Sequence, residues 1–82
     1  MLGLFAFSVP SVPPHRRVLG DRLRSYRQRA ELTQEKLAER AGLSVVFISL
    51  LENGWRTISV DRLIRIAKAL KVPVADLLRD IY

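Results

Sequence analysis

TQEKLAERAGLSVVFISLLENG, residues 33–54, is the stretch whose reading decides the fold. Thr33 brings a hydroxyl able to satisfy the orphan backbone donors of a helix start, and Glu35 places an acid in the first turn, where the helix dipole favours it. Leu37 and Ala38 give that helix a narrow apolar edge, and Gly42 ends it where a left-handed residue is wanted. Ser44 offers a second cap, after which Phe47, Ile48 and Leu51 recur at helical spacing on another apolar face. Helices are therefore expected over about residues 33–41 and 44–53. Two short helices separated by a glycine turn have the spacing of a helix-turn-helix.

Working outward, Leu19, Leu23, Tyr26 and Ala30 follow the i, i+4, i+7, i+11 pattern of one buried face and predict a helix over about 18–31. Arg22, Arg24 and Arg29 lie off that stripe, as a solvated face or as phosphate contacts. Downstream, Ser59 is a cap for a fourth helix reaching Leu70, with Leu63, Ile66, Ala67 and Leu70 inward and Arg62, Arg65 and Lys68 outward. Pro73 suits the first turn of a fifth helix, which runs to about Asp80 and buries Leu77 with Val74 and Ile81. No strand pattern or internal repeat accompanies these elements. The expectation is an all-α, five-helix domain over residues 15–82, preceded by an apolar, proline-rich extension over residues 1–14. That extension lacks the basic start and cleavage site of a signal peptide and is too short to span a membrane. It reads either as a flexible extension or as an arm whose Leu2, Leu4, Phe5 and Phe7 dock on the domain or on a second subunit.

A chain of 82 residues buries only about 60% of its unfolded surface, so helix packing and self-association are expected to share in its stability. With no cysteine there is neither disulfide nor thiolate metal site, and with His15 as the one histidine no metal or cofactor is expected. No Ser/His/Asp set, carboxylate pair or glycine-rich phosphate loop can be assembled, so an enzyme is not expected. The formal charge is +6, a balance suited to a polyanionic partner. Its placement says more. Residues 15–29 carry six arginines against Asp21, net +5, and residues 55–72 carry five basic residues against Asp61, net +4. Residues 33–54 hold two basic and three acidic residues, net −1. The positive charge flanks the motif.

Over about residues 19–78 the sequence resembles the helix-turn-helix domain of the phage repressor and Cro type, widespread among bacterial regulators and similar to restriction–modification controller proteins. The residues that carry the resemblance are Gln34 at the head of the first motif helix, Ala38 where the two helices nearly touch, Gly42 in the turn, Ile48 and Leu51 in the core, and Glu52-Asn53-Gly54 at the end. The resemblance implies a lambda-repressor-like domain in which helices two and three form the motif and the second motif helix enters the major groove of double-stranded DNA. Ser44, Val45, Val46, Ser49 and Leu50 then occupy base-facing positions, while Thr33, Gln34, Asn53, Arg56 and Arg24 are candidates for the phosphate backbone. Arg27 and Glu52 are paired by the same resemblance into an ion pair tying the reading helix to the scaffold.

The base-facing set departs from the family, whose members usually carry Gln, Arg, Lys or Thr there. Val45, Val46 and Leu50 have no donors or acceptors, so recognition would rest on thymine methyl groups and DNA shape. The alternatives are an antitoxin-like, protein-binding module using that apolar face, or a nonspecific DNA binder held by the flanking arginines. Trp55 replaces the basic residue relatives often have and is placed either against residues 57–58, against a sugar-phosphate edge or in a subunit interface. The resemblance implies a cytoplasmic homodimer, with Leu78, Ile81 and Tyr82 as first candidates for the interface, and no membrane or small-molecule ligand.

Overall fold

The computed structural model describes residues 12–81. Within them the order is α1 (Pro14–Arg29), α2 (Gln34–Ala41), α3 (Val45–Glu52), α4 (Val60–Leu70) and α5 (Val74–Leu78), with no strand. The expectation of an all-α, five-helix domain holds among the described residues. The proposed docking of Leu2, Leu4, Phe5 and Phe7, and the interface role of Tyr82, lie outside the described residues.

Each of the three central helices starts on a hydroxyl. Thr33 Oγ1 accepts from Lys36 N–H at 3.0 Å, Ser44 Oγ from Phe47 N–H at 3.0 Å and Ser59 Oγ from Arg62 N–H at 3.2 Å. Such caps stabilise a helix by about 1 kcal/mol each. The ends also share one device, in which a left-handed residue lets the next amide reach back five residues, as in Leu43 N–H to Ala38 O at 2.9 Å. Gly42 supplies that conformation after α2, but Glu31 and Lys71 supply it after α1 and α4, at φ of 59° and 60°. No glycine marks those two ends in the sequence.

Two helices differ from the expected lengths. α1 begins four residues earlier than the apolar stripe suggested, because Pro14 sits at the first helical position, where its fixed φ and missing N–H cost nothing. It ends before Ala30, which is exposed at the C-cap and does not join the buried face. α5 is only Val74–Leu78: Pro73 is its cap residue, and Arg79 returns to extended backbone, so the helix does not reach Asp80.

The apolar stripes converge on one core, in which Leu23, Leu37, Ile48, Leu51, Ile66 and Leu77 are fully buried, with Leu19 and Tyr26 packed at its edge. Each buried Leu or Ile contributes about 2 kcal/mol before entropy is counted. α2 packs on α3 and α4, while α1 packs on α3 and α5. The α1–α3 contact is unusually close. A Cβ placed on Gly20 would meet Glu52 O at 2.5 Å and Leu51 O at 2.7 Å, so α1 rests backbone-to-backbone on the last turn of α3. Glycine in mid-helix costs about 1 kcal/mol relative to alanine, and here it makes that approach sterically possible.

Candidate nucleic-acid interface

Three helices meet at the carboxylate of Glu52. This residue is 2% exposed, yet its side chain is fully partnered. Arg27 from α1 donates twice, Nε to Oε2 at 2.6 Å and Nη2 to Oε1 at 3.0 Å, the bidentate geometry in which arginine binds carboxylates best. Gln34 Nε2, from the first turn of α2, donates to Oε1 at 3.0 Å. Arg24 lies 3.5 Å from the same oxygen and also donates to Glu52 O at 3.3 Å and Asn53 Oδ1 at 3.2 Å. Burial pushes the Glu52 carboxyl up, but the bonds from Arg27 and Gln34 and the charges of Arg27 and Arg24 outweigh it, leaving the group below its ordinary range. The bond to Glu52 raises Arg27 correspondingly, against its own desolvation. Glu52 is therefore ionised at neutral pH and fixes α3 against α1 and α2.

Arginine also braces the turn between the motif helices. Arg65 of α4 donates Nε to Ala41 O at 3.0 Å and Nη2 to Gly42 O at 2.7 Å, placing a cation on the orphan carbonyls that end α2. Held at both ends, α3 turns two parallel rows outward at i, i+4 spacing, Val45 with Ser49 and Val46 with Leu50. Val46 is 64% exposed and Val45 38%. A recess of about 380 Å³ opens beside the second row, between α3 and the start of α4, lined by Val46, Phe47 and Leu50 with Leu43 and Ser44, and by Arg56 and Arg62. Both guanidinium groups lie over the Phe47 ring, at 5.6 Å and 5.4 Å from its centre. Neither has an acidic partner among the described residues.

The residues singled out in the sequence thus fall into two groups. Arg24, Arg27, Gln34, Glu52 and Asn53 come together in the carboxylate cluster, and Ser44, Val46, Leu50 and Arg56 come together at the recess. Thr33 is exposed at the head of α2 with its hydroxyl engaged in the cap, while Val45 and Ser49 stand on the row beside the recess. Trp55 is 47% exposed. Leu78 is exposed and Ile81 half-buried. Sequence reasoning missed the bonding of Gln34 to Glu52, the brace from Arg65 and the second recess arginine, Arg62. The last two read only as off-stripe positions on α4. Gly20 was missed too, although a lone glycine inside a strong helix pattern is a signal of close approach.

Residues 23–77 match the helix-turn-helix family. The chain is similar to the control protein C.SmaI of Serratia marcescens, 41% identical over 61 residues, covering 74% of this chain and 73% of that protein. Other curated relatives, regulators of Mycobacterium tuberculosis 45% identical over 53 residues, are longer, and the chain spans 38% of their length. Among solved structures it resembles the restriction–modification controller protein C.AhdI of Aeromonas hydrophila, with a TM-score of 0.75 at 32% identity, over 76% of this chain and 94% of that one. It also resembles the biofilm regulator SinR in complex with DNA, with a TM-score of 0.71 at 30% identity, over 73% and 97%.

Proposed function

This chain belongs to the helix-turn-helix family of DNA-binding transcriptional regulators, and on that premise we propose that it binds a pseudo-palindromic operator as a homodimer and regulates transcription from it. The observation that carries this reading is α3 itself: braced at one end by the Glu52 cluster and at the other by Arg65, it projects a row of side chains that contribute nothing to the core. A helix so held lies in the major groove with its N-terminal residues on base edges, while α2 crosses the backbone. Ser44, Val45, Val46, Ser49 and Leu50 face bases. Thr33 and Gln34 bring the amides at the head of α2 to a phosphate, and Arg24, Asn53 and Arg56 flank it.

Affinity then comes largely from phosphate contacts, which release counterions and make binding steeply salt-dependent. Titrating labelled duplex over a range of salt concentrations is expected to give a linear log–log plot, and Arg56→Ala is expected to make its slope shallower by about one unit. Comparison of a random duplex with one recovered by selection tests specificity. The exposed Val45 and Val46 favour a second reading, a protein-binding module, which is what remains if no duplex binds even at low salt.

The homodimer is supported by a separate apolar surface. Val60 is 69% exposed and Leu78 41%, and both line a groove of about 240 Å³ with Leu19, Ile58 and Leu63. Ile64 is exposed one turn along α4 from Val60. A dimer on such an operator needs its two α3 helices roughly 34 Å apart, one turn of DNA. Leu78→Asp is expected to shift the protein to monomer in sedimentation equilibrium and to weaken operator binding at least tenfold, with the helical circular dichroism retained. A variant that stays dimeric moves the interface elsewhere.

A further inference from the structure

We propose that the α3 recess is a reader of pyrimidine C5-methyl groups, so that this regulator responds to thymine and to 5-methylcytosine through the same contact and its operator affinity changes when a cytosine in the half-site is methylated. The inference rests on the DNA-binding reading above and names what that surface recognises. Along Val45, Val46, Ser49 and Leu50, the one polar side chain is the Ser49 hydroxyl, and the Ser44 hydroxyl ahead of them accepts from Phe47 N–H. In the major groove, apolar side chains have one base-edge feature to complement, the methyl group at C5 of a pyrimidine. Cytosine lacks that group and gains it, at the same ring position, when methylated at C5.

Val46, Phe47 and Leu50 supply apolar lining to the recess, and the two guanidinium groups that also line it lie over the Phe47 ring. Arg56 and Arg62, without acidic partners among the described residues, complement the phosphates on either side of a seated base. Phosphate contact there would close the apolar wall against water, and burial of a methyl group becomes favourable only once water is excluded.

The probe is a labelled duplex recovered from a random pool by the full chain, remade with deoxyuridine in place of each thymine in turn, which deletes the methyl group and nothing else. One position per half-site is expected to lose about fourfold in affinity, the factor that corresponds to one buried methyl group at about 0.8 kcal/mol. At that position a C·G pair carrying 5-methylcytosine is expected to bind about fourfold more tightly than unmodified cytosine. Val46→Ala and Leu50→Ala are each expected to flatten both differences while leaving the salt slope intact. Equal affinity for thymine and deoxyuridine at every position, or selected sites without thymine in either strand of the half-site, overturns the inference while DNA binding stands. Recovery of no duplex from the pool overturns both.

Discussion

Arg27→Met is expected to lower the free energy of unfolding by about 3 kcal/mol, because it strands the buried Glu52 carboxylate without its bidentate partner. In a domain of this size that corresponds to a fall in melting temperature on the order of 15 °C. Glu52→Leu removes the other partner and leaves Arg27 near the protein edge, where water reaches it more readily, so a smaller loss is expected. The double variant Arg27→Met/Glu52→Leu is expected to be more stable than the sum of the two single losses by about 1–3 kcal/mol. Additive losses in urea melts would show that the pair is not coupled. The same cluster sets an acid limit. Because the folded protein holds Glu52 below its ordinary value of 4.5, its stabilisation is complete above that value and is lost as pH falls through the lower folded-state value. Stability should therefore decline below about pH 4.5, and Glu52→Gln should flatten that part of the curve.

Gly20→Ala is the second large effect, and its sign is opposite to what helix propensity suggests. Alanine should stabilise a mid-helix position by about 1 kcal/mol. Here, however, the new methyl group would lie 2.5 Å from Glu52 O and 2.7 Å from Leu51 O. Both obstacles are backbone, so no side chain can swing aside and α1 must move off α3. Overpacking of this kind costs about 1–3 kcal/mol or more, and it also shifts the carboxylate cluster that sets the angle of α3. The expected result is a net loss of about 2 kcal/mol in thermal or urea unfolding, with weakened operator binding. A variant as stable as the parent would mean that α1 and α3 have room to separate.

The sequence was most legible where one residue decides one local feature. Thr33, Ser44 and Ser59 cap helices as expected, Gly42 takes the left-handed turn, and the stripes of α2, α3 and α4 are buried where their spacing put them. It was least legible where a feature is shared among elements. Gln34 read as a phosphate ligand because it heads a helix, and only the packing of α2 beside α3 reveals that its amide is bonded to Glu52. The end of α1 was read two residues too late for a different reason: Glu31 adopts a conformation glycine favours, and it does so because Leu32 gains packing against the core. The end of α4 at Leu70 was read correctly, although Lys71 takes the same conformation. The recess combines both difficulties, since Phe47, Arg56 and Arg62 come from α3, its following loop and α4.

The backbone contact at Gly20 grips only the C-terminal turn of α3. On the proposed reading, foldability and target choice are thereby written on different residues of one helix. Phe47, Ile48, Leu51 and Glu52 belong to the scaffold, while Val45, Val46, Ser49 and Leu50 are outside its buried core. Exchanges at the second group should change stability by only about 0.5 kcal/mol, the range of ordinary surface substitutions. If those four residues read the operator as proposed, a lineage carrying this fold can change operator by point mutation without passing through an unfolded ancestor. The same latitude makes these four positions a practical library for retargeting the protein to a chosen DNA site.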